Sequence, residues 1–348
     1  MELLEIDGSY GEGGGQAVRV ATSFAVILNR PIRVTKVRAG RRIPGLRPQH
    51  ATTLKVLTEV CGGTIEGAKV GSTEFTFTPG RVQNRSMVVD MGTAASVTLA
   101  LQAIVPAISL SGASLDLELV GGTDVPWSPT CDYFSTVFSE SMRKLGISFK
   151  LEVLRRGYYP AGGGRVKVRI EPCERVRAVR LDERTDDPPI SLTARAGLLP
   201  RRVAEQLLSS AVSQLERNGL RAGSESVYLE ESSSAGCSIL ISSVGGTCLM
   251  GADSIGVRGR PALRIGSEAG VRFARSYGTR ACVDPHLADM LSPLLFIADG
   301  PSTLVTPEAS SHLMTSLHIA KQFVDAEYSV AAKDGSCLIS VSPGQQNS

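Results

Sequence analysis

The chain has 348 residues, 42% of them hydrophobic, so it is long enough for two domains and apolar enough to fill their cores. A formal net charge of +3 does not by itself indicate a nucleic acid partner. Segment 97–110 is too short and too polar to span a bilayer. The acidic first residues argue against a signal peptide, and seven singly scattered cysteines favour reduced thiols, so we expect a cytoplasmic protein.

The first predicted elements alternate between strands and helices. Residues 3–7 are typical of a short strand before a glycine-rich turn, and 16–28 has apolar residues at helical spacing. A strand, a helix and two paired strands are predicted to follow at 32–37, 48–60, 64–67 and 74–78.

The same order recurs twice further along the chain. A second unit is predicted from helices at 93–108 and 131–145 and strands at 114–119, 147–154 and 164–170. The third unit is predicted from helices at 285–296 and 312–324 and strands at 302–305, 326–331 and 336–341, the last two joined by an Asp-Gly turn that suits a tight hairpin.

The segment 182–275 breaks this rhythm with a polar, proline-bearing start, one amphipathic helix at 200–218 and strands at 227–229 and 237–243. We therefore expect an α/β (α+β) fold with a small α/β domain inserted between the second and third units. The large domain of three repeated βα units comprises 1–181 and 276–341, and 342–348 is expected to be a disordered tail.

The segment 11–16, Gly-Glu-Gly-Gly-Gly-Gln, lies between the first strand and the first helix. Glycines and helix-terminal N–H groups let a phosphate approach closely, so this loop suits an anion. It is not a Rossmann fingerprint, because Gln16 takes the last glycine position and no acid follows before Glu59. Glu12 would repel a phosphate unless a cation lay between them, which makes it a candidate Mg²⁺ or Mn²⁺ ligand. A solvated surface glutamate is the alternative.

Between Gly13 and Thr58 the chain has nine Lys and Arg residues and no Asp or Glu. This block indicates an anion-facing surface, with a merely solvated basic face as the alternative. Arg38 ends a predicted strand and Arg41 follows in the loop, and guanidinium groups suit phosphate oxygens. Gln49 opens the next helix, where its amide could hydrogen-bond a phosphate or a ribose.

His312 is the most notable of the four histidines. Ser310 or Ser311 is a good N-cap, which places His312 in the first turn of a helix. The positive end of the helix dipole disfavours an imidazolium ion there, so we expect a neutral, nucleophilic ring at neutral pH. His318 lies about 240° further round the helix and is expected to be structural. A structural histidine is also the alternative for His312.

Five motifs in chain order resemble the RNA 3′-terminal phosphate cyclase family, from Asp7 to about Asp334. Each motif alone is modest, but five in order are specific. They are the glycine loop, Arg38-Ala39-Gly40-Arg41 with Pro44-Gly45-Leu46 and Gln49-His50, Gly121-Gly122-Thr123-Asp124, the segment 156–164, and Ser311-His312-Leu313-Met314-Thr315.

The resemblance implies three repeats with an inserted domain, and a ligase-type enzyme that acts on RNA with a 3′-terminal phosphate. ATP would adenylate a histidine, AMP would move to the RNA 3′-phosphate, and the 2′-hydroxyl would close a 2′,3′-cyclic phosphate. By the resemblance His312 is the nucleophile, Glu12 contacts Mg²⁺ or Mn²⁺, and Asp289 is the acid near the histidine. The other implied ATP- and phosphate-binding positions are Arg19, Arg38, Arg41, Gln49, Gln102, Pro129 and His286. At the position of His286, bacterial members of the family generally carry tyrosine.

Two other functions stay open. Relatives that lack the catalytic histidine serve ribosome assembly as binding proteins, but this chain retains His312. An enolpyruvyl transferase is built from similar repeats and binds phosphorylated substrates, but it has no need of a covalent nucleotide. No feature of the sequence decides the oligomeric state.

Overall fold

The computed structural model describes residues 2–11, 13–92 and 94–344. Within these residues the strands form four sheets of four strands, and three of the sheets share one topology. In each of the three, the first strand pairs in parallel with the second, and the second pairs antiparallel with the last strand of a hairpin that follows it, so the first hairpin strand lies at the edge of the sheet. The α/β (α+β) fold of three repeated units is therefore confirmed.

The first unit matches its predicted elements closely. It comprises β1 (Leu4–Asp7), α1 (Gly15–Ile27), β2 (Ile32–Thr35), α2 (Pro48–Cys61), β3 (Thr64–Glu66) and β4 (Phe75–Thr78). Helix α2 begins with Pro48, whose missing N–H costs nothing in a first turn, and it ends at Gly62, whose φ of 60° is left-handed.

The second unit contains a strand that the sequence pattern did not indicate, β5 (Arg85–Asp90). It continues with α3 (Val97–Leu110), β6 (Leu115–Gly121), α4 (Cys131–Tyr133), a π-helical stretch (Phe134–Phe138), α5 (Ser139–Lys144), β7 (Phe149–Arg155) and β8 (Gly164–Ile170). The predicted start of its first helix at residue 93 is wrong. Helix α3 starts after Ser96, because the Ser96 hydroxyl accepts a hydrogen bond from the Leu99 N–H and caps the helix there.

The third unit begins with the strand β9 (Arg180–Leu181) and is then interrupted by the fourth sheet and its two helices. The interrupting elements are β10 (Ile190–Gly197), α6 (Arg201–Arg217), β11 (Ala222–Glu230), β12 (Gly236–Gly245), β13 (Cys248–Ile255) and α7 (Ala262–Gly278). The unit resumes with α8 (Pro285–Leu291), a 3₁₀ turn (Ser292–Ile297), β14 (Ser302–Thr306), α9 (Ser311–Lys321), β15 (Ala326–Lys333) and β16 (Ser336–Pro343).

The pairing of β9 with β14 locates this insertion inside the third unit, after its first strand, and not between the second and third units as expected. The predicted domain boundary at 275/276 falls inside α7, and the division into domains stays a prediction. Strand β16 extends to Pro343, so the expected tail begins later than 342; residues 345–348 lie outside the described residues.

Two apolar cores hold the chain together. The larger core joins buried residues of all three repeated units, including Phe24 of α1, Ile104 of α3 and Leu317 of α9. The smaller core lies between the fourth sheet and its two helices, α6 and α7. Because α1, α3 and α9 share the larger core, residues that are far apart in the sequence meet at the ends of these helices.

In the described part of the chain, no helix has the length and apolar composition needed to cross a membrane.

Candidate active site

The glycine loop is the closely packed segment in front of α1. A Cβ atom on Gly11 would lie 2.3 Å from Oγ1 of Thr315 on α9, and one on Gly13 would lie 2.6 Å from the backbone N of Gly40. Both glycines have left-handed φ angles, 65° and 54°, which residues with a side chain rarely adopt. These glycines therefore let the loop contact α9, the helix that carries His312, and the arginine-bearing loop after β2.

The next two glycines bring in basic side chains. A Cβ atom on Gly14 would lie 2.9 Å from a terminal nitrogen of Arg41, and one on Gly15 would lie 2.4 Å from Nε2 of His50 and 3.2 Å from a terminal nitrogen of Arg19. The N-terminus of α1 is thus surrounded by side chains that donate hydrogen bonds. This is the environment that an anion requires.

His50 is a functional candidate that sequence reasoning noted only as part of a motif. It is 3% exposed, and its Nδ1 accepts a hydrogen bond from the Arg47 N–H at 3.1 Å, so Nε2 carries the ring proton. Burial, with the charges of Arg19, Arg38 and Arg47, lowers the pKa of His50 to about 3. Nε2 has no hydrogen-bond partner within the described residues. His50 is therefore a neutral donor beside Gly15, and its charge environment shows that three arginines converge there.

Arg38 and its neighbours form the basic side of the site. Arg38 itself adopts a left-handed φ of 55°, and its guanidinium donates to the carbonyl oxygens of Ile43 and Gly45 at 2.9 and 3.1 Å. Burial and the charges of Arg47 and Arg41 lower the pKa of Arg38. Gln49, in the first turn of α2, precedes His50 and is partly exposed.

A hydrogen-bond network joins α1 to α8 and α9. The Gln16 amide donates to the Ser316 hydroxyl at 2.8 Å and to the Asp289 carbonyl oxygen at 3.3 Å, while the Ser316 hydroxyl donates to the same carbonyl at 3.0 Å. Arg19 donates to Oε1 of Gln16. Burial lowers the pKa of Arg19 to about 10, which still leaves it charged at neutral pH.

Gln102 of α3 is brought to Arg19 by the packing of α1 against α3. Both residues line a cavity of about 30 Å³ together with Gln16 and Ser23, enough for about one water molecule. Nε of Arg19 and Oγ of Ser23 have no hydrogen-bond partner in the described part of the chain. Gln102 therefore lies beside Arg19, one of the arginines of the site.

His312 lies in the first turn of α9 and is half-buried, and the helix is capped by Ser310, whose hydroxyl accepts from the Leu313 N–H at 2.9 Å. The same hydroxyl donates to Oδ1 of Asp289 at 2.5 Å. Burial raises the pKa of Asp289 to about 7, against the lowering effect of this hydrogen bond and of nearby cations. Asp289 thus contacts the cap of the helix that carries His312, as well as belonging to the network with Gln16.

Pro129 and His286 both lie near Asp253 of the inserted sheet. The Pro129 carbonyl accepts from Thr98 at 2.7 Å, and the neighbouring Thr130 N–H donates to Asp253 of β13 at 2.6 Å. His286 follows Asp284, the N-cap of α8, and its charge acts on the buried carboxyls of both Asp253 and Asp289. The inserted sheet therefore contributes directly to this side of the site.

The candidate metal ligand Glu12 lies outside the described residues. Among the residues that are described, no group of three or more His, Cys, Asp or Glu side chains could hold a metal ion. The other nine predicted site residues lie in or next to α1, α2, α3, α4, α8 and α9, and contacts between Gln16, Ser310, Ser316 and Asp289 join α1, α8 and α9.

The fold is an α/β protein of three repeated units, and glycines, arginines and a capped helix that carries a histidine converge between these units in an arrangement that suits an anion. The family model described as RNA 3′-terminal phosphate cyclase matches residues 10–330. The chain belongs to the RNA 3′-terminal phosphate cyclase family, and the predicted family is confirmed.

Relatives from two organisms match the chain over nearly its full length. An RNA 3′-terminal phosphate cyclase of Pyrobaculum aerophilum is 37% identical over 97% of this chain and 97% of its own. One of Methanopyrus kandleri is 38% identical over 96% of this chain and 97% of its own. Among solved structures, EPSP synthase from Acinetobacter baumannii is 12% identical and covers 97% of this chain and 64% of its own at a TM-score of 0.30, which is too low to support any conclusion.

Proposed function

We propose that the protein is an ATP-dependent enzyme that converts an RNA 3′-terminal phosphate to a 2′,3′-cyclic phosphate through a covalent AMP on His312. The observation that carries this proposal is the contact of the glycine loop with α9, where Gly11 abuts Thr315 one turn after His312. This contact supports the proposal, because it brings the glycine loop next to the helix that carries His312 in its first turn.

In the first step, a ring nitrogen of His312 attacks the α-phosphorus of ATP, and the bond to pyrophosphate breaks. The step splits one difficult displacement into two easier ones, which is the advantage of nucleophilic catalysis. Arg19, Arg38 and Arg41 are suited to stabilise the charge on the phosphoryl oxygens, because guanidinium groups hold such oxygens in the transition state. The neutral N–H of His50 would add a donor without adding charge.

In the second step, an oxygen of the RNA 3′-phosphate attacks the AMP phosphorus and frees His312. The vicinal 2′-hydroxyl then attacks the terminal phosphorus, AMP leaves, and the cyclic phosphate forms. The last leaving group is AMP, so the anhydride bond that derives from ATP drives ring closure. Pro129 and His286 would contact the nucleotide, while Gln49 and Gln102 would hydrogen-bond its phosphates.

Glu12, with the ATP phosphates, would hold Mg²⁺ or Mn²⁺. Mg²⁺ usually binds one or two carboxylates together with substrate phosphates, so a single acid within a phosphate-binding loop suits it. When bound, the ion would neutralise phosphate charge. The arginines, His50 and the loop N–H groups would position the phosphates themselves.

Labelled ATP tests the proposal directly. The protein should acquire a covalent AMP that is labile in acid and stable in alkali, as a P–N bond is, and His312→Ala should acquire none. His318→Phe is the matched control, because it removes a histidine from the same helix while keeping the stack with Tyr10, whose ring lies 3.6 Å from that of His318. An adduct that survives in His312→Ala would contradict the assigned nucleophile. Binding of RNA without any adduct would favour a binding-only function.

A further inference from the structure

Trp127 is the most exposed large apolar side chain in the described part of the molecule. It is 94% exposed and is the one tryptophan of the chain. Its φ angle is +62°, in the left-handed region that a bulky residue rarely adopts. Exposure of an indole and a strained backbone both oppose stability, so the loop that displays Trp127 needs another explanation.

The loop holds Trp127 in a fixed position. Before it, Val125 is buried, and the Ser128 hydroxyl donates to the Val125 carbonyl at 2.9 Å across the tryptophan. After it, the Pro129 carbonyl and the Thr130 N–H are bonded to Thr98 and Asp253 at 2.7 and 2.6 Å. Because both ends are fixed, the backbone that carries the indole loses little conformational entropy when the ring binds a flat partner.

The surroundings combine aromatic and cationic groups. The loop after β7 lies alongside, since the Thr123 N–H donates to the Gly157 carbonyl at 2.9 Å, and this loop displays Tyr159 at 59% exposure. Arg272 of α7 is exposed and bonds to the backbone oxygen of Asp253, and it has no carboxylate partner among the ion pairs of the described residues. Exposed rings, together with an arginine that has no ion pair, are features with which proteins bind single-stranded nucleic acid.

We propose that Trp127 is a stacking platform for a base of the RNA strand whose 3′-phosphate enters the site. The inference rests on the proposed function, because Pro129, two residues away, is a proposed nucleotide contact. It adds a location for the RNA that none of the predicted site residues provides. Stacking tolerates any base, so this contact would add affinity without sequence preference.

Because Trp127 is the one tryptophan, its intrinsic fluorescence reports on this contact without a label. Titration of the wild-type protein with a short oligoribonucleotide carrying a 3′-phosphate should quench the emission in a saturable way. Trp127→Ala should bind the same oligonucleotide about tenfold more weakly, measured by anisotropy of a labelled strand, because loss of one stacking ring has about this effect. Trp127→Phe should recover most of the affinity.

Two measurements separate this inference from the proposed function. Adenylylation by ATP alone needs no RNA, so its failure in the wild type would refute the proposed chemistry and leave the RNA titration interpretable. Val88→Ala, an exposed apolar position on the open face of the second sheet, is the control for loss of surface area and should bind RNA like the wild type.

The proposal is overturned if RNA binds without quenching, or if Trp127→Ala binds RNA as the wild type does. Equal losses of adenylylation and RNA binding would assign Trp127 a structural role in the Pro129 loop. An emission change that depends on protein concentration and not on RNA would show that a second copy covers the indole, which also overturns it.

Discussion

The molecule contains two groups of converging arginines that differ in their counterions. In the first unit, Arg19, Arg38 and Arg47 surround His50, and none of the three has a carboxylate partner within the described residues. At the junction of the second unit with the inserted sheet, Arg156 bonds Asp124 at 3.0 Å and Asp132 at 2.8 Å. Arg195 extends this second group by pairing with Asp132 and Glu230.

The pKa values of Arg19 and Arg156, one residue from each group, shift in opposite directions. Burial lowers the pKa of Arg19 to about 10, with only partial compensation from Asp289. Burial acts on Arg156 in the same sense, but Asp124 and Asp132 raise its pKa well above the usual range. Cations gathered without counterions are poorly stabilised in the absence of an anion, whereas paired cations hold elements together. The comparison therefore separates the first group, for which we propose ligand binding, from the second group, which we expect to be structural.

The largest expected effect is a loss of folding stability when the structural cluster around Arg156 is disrupted. Arg156→Met leaves Asp124 and Asp132 buried without their shared partner, and breaking a buried pair in this way typically costs about 3–5 kcal/mol of folding stability. Thermal unfolding should show a lower Tm, while adenylylation per folded molecule should be retained. Arg143→Met, which breaks the exposed pair with Glu140, is the control and should leave the Tm unchanged. An equal Tm for Arg156→Met and the wild type would remove the structural assignment.

Arg19→Met should show the reverse pattern. Loss of one donor to a transferring phosphoryl group typically reduces the rate about 100- to 1000-fold, so adenylylation by ATP should fall by about that factor. The Tm should stay close to that of the wild type, because the substitution also removes repulsion between cations. Adenylylation and thermal unfolding, measured on the same preparation, check both parts. A lowered Tm with unchanged adenylylation would place Arg19 with the structural cluster.

Gly11→Ala should have the next largest effect on activity. The new Cβ atom would meet Oγ1 of Thr315 at 2.3 Å and displace the loop from α9, and a displacement of about 1 Å at a reacting centre can cost about 100-fold in rate. Gly112→Ala is a matched control: its φ of 77° imposes the same backbone strain of about 1–2 kcal/mol, but no atom lies within 4 Å of the new Cβ.

Only Gly11→Ala should lose adenylylation, measured as the initial rate of AMP incorporation. Adding Thr315→Ala removes the obstructing atom and should restore part of that rate. Equal losses in the two glycine variants would mean that backbone strain, and not the contact with α9, explains the effect.

Most of the repeated units could be predicted from the sequence, because their helices and strands have clear apolar periods. Helix α7 was missed, since glycines interrupt its pattern; a Cβ atom on Gly266 would lie 2.1 Å from the Leu207 carbonyl, so these glycines allow α7 to pack closely on α6. Strand β9 has only two residues, and its partner β14 follows more than 100 residues later. No local pattern indicates such a strand.

Features of the site that depend on one residue type at one position could be predicted from the sequence. Ser310 caps the helix of His312 as its position predicts, and the glycine loop precedes α1. The role of His50 was not predictable in this way. Its free Nε2 depends on a hydrogen bond from Arg47 to the other ring nitrogen and on the approach of Gly15, which is 35 positions earlier. Such a property arises only when α1 and α2 pack together.

The smallest expected effect is on the pH dependence of folding stability, through the buried carboxyl of Asp289. The pKa of Asp289 is about 7 in the folded protein because of burial, compared with 3.8 for an unperturbed aspartate. Between these values the folded state holds a proton that the unfolded state has lost, so stability should fall as pH rises from about 4 to about 7. The slope from this one group is at most about 1.4 kcal/mol per pH unit.

Asp289→Asn removes this titration while its amide oxygen can still accept from Ser310, so the fall of Tm between about pH 4 and pH 7 should become shallower. It should not disappear, because burial also raises the pKa values of Asp253 and Asp284. Asp334→Asn, at the exposed turn between β15 and β16, should keep the wild-type slope. Identical slopes for Asp289→Asn and the wild type would mean that Asp289 is ionised throughout this range, and that the arginines and Ser310 outweigh its burial.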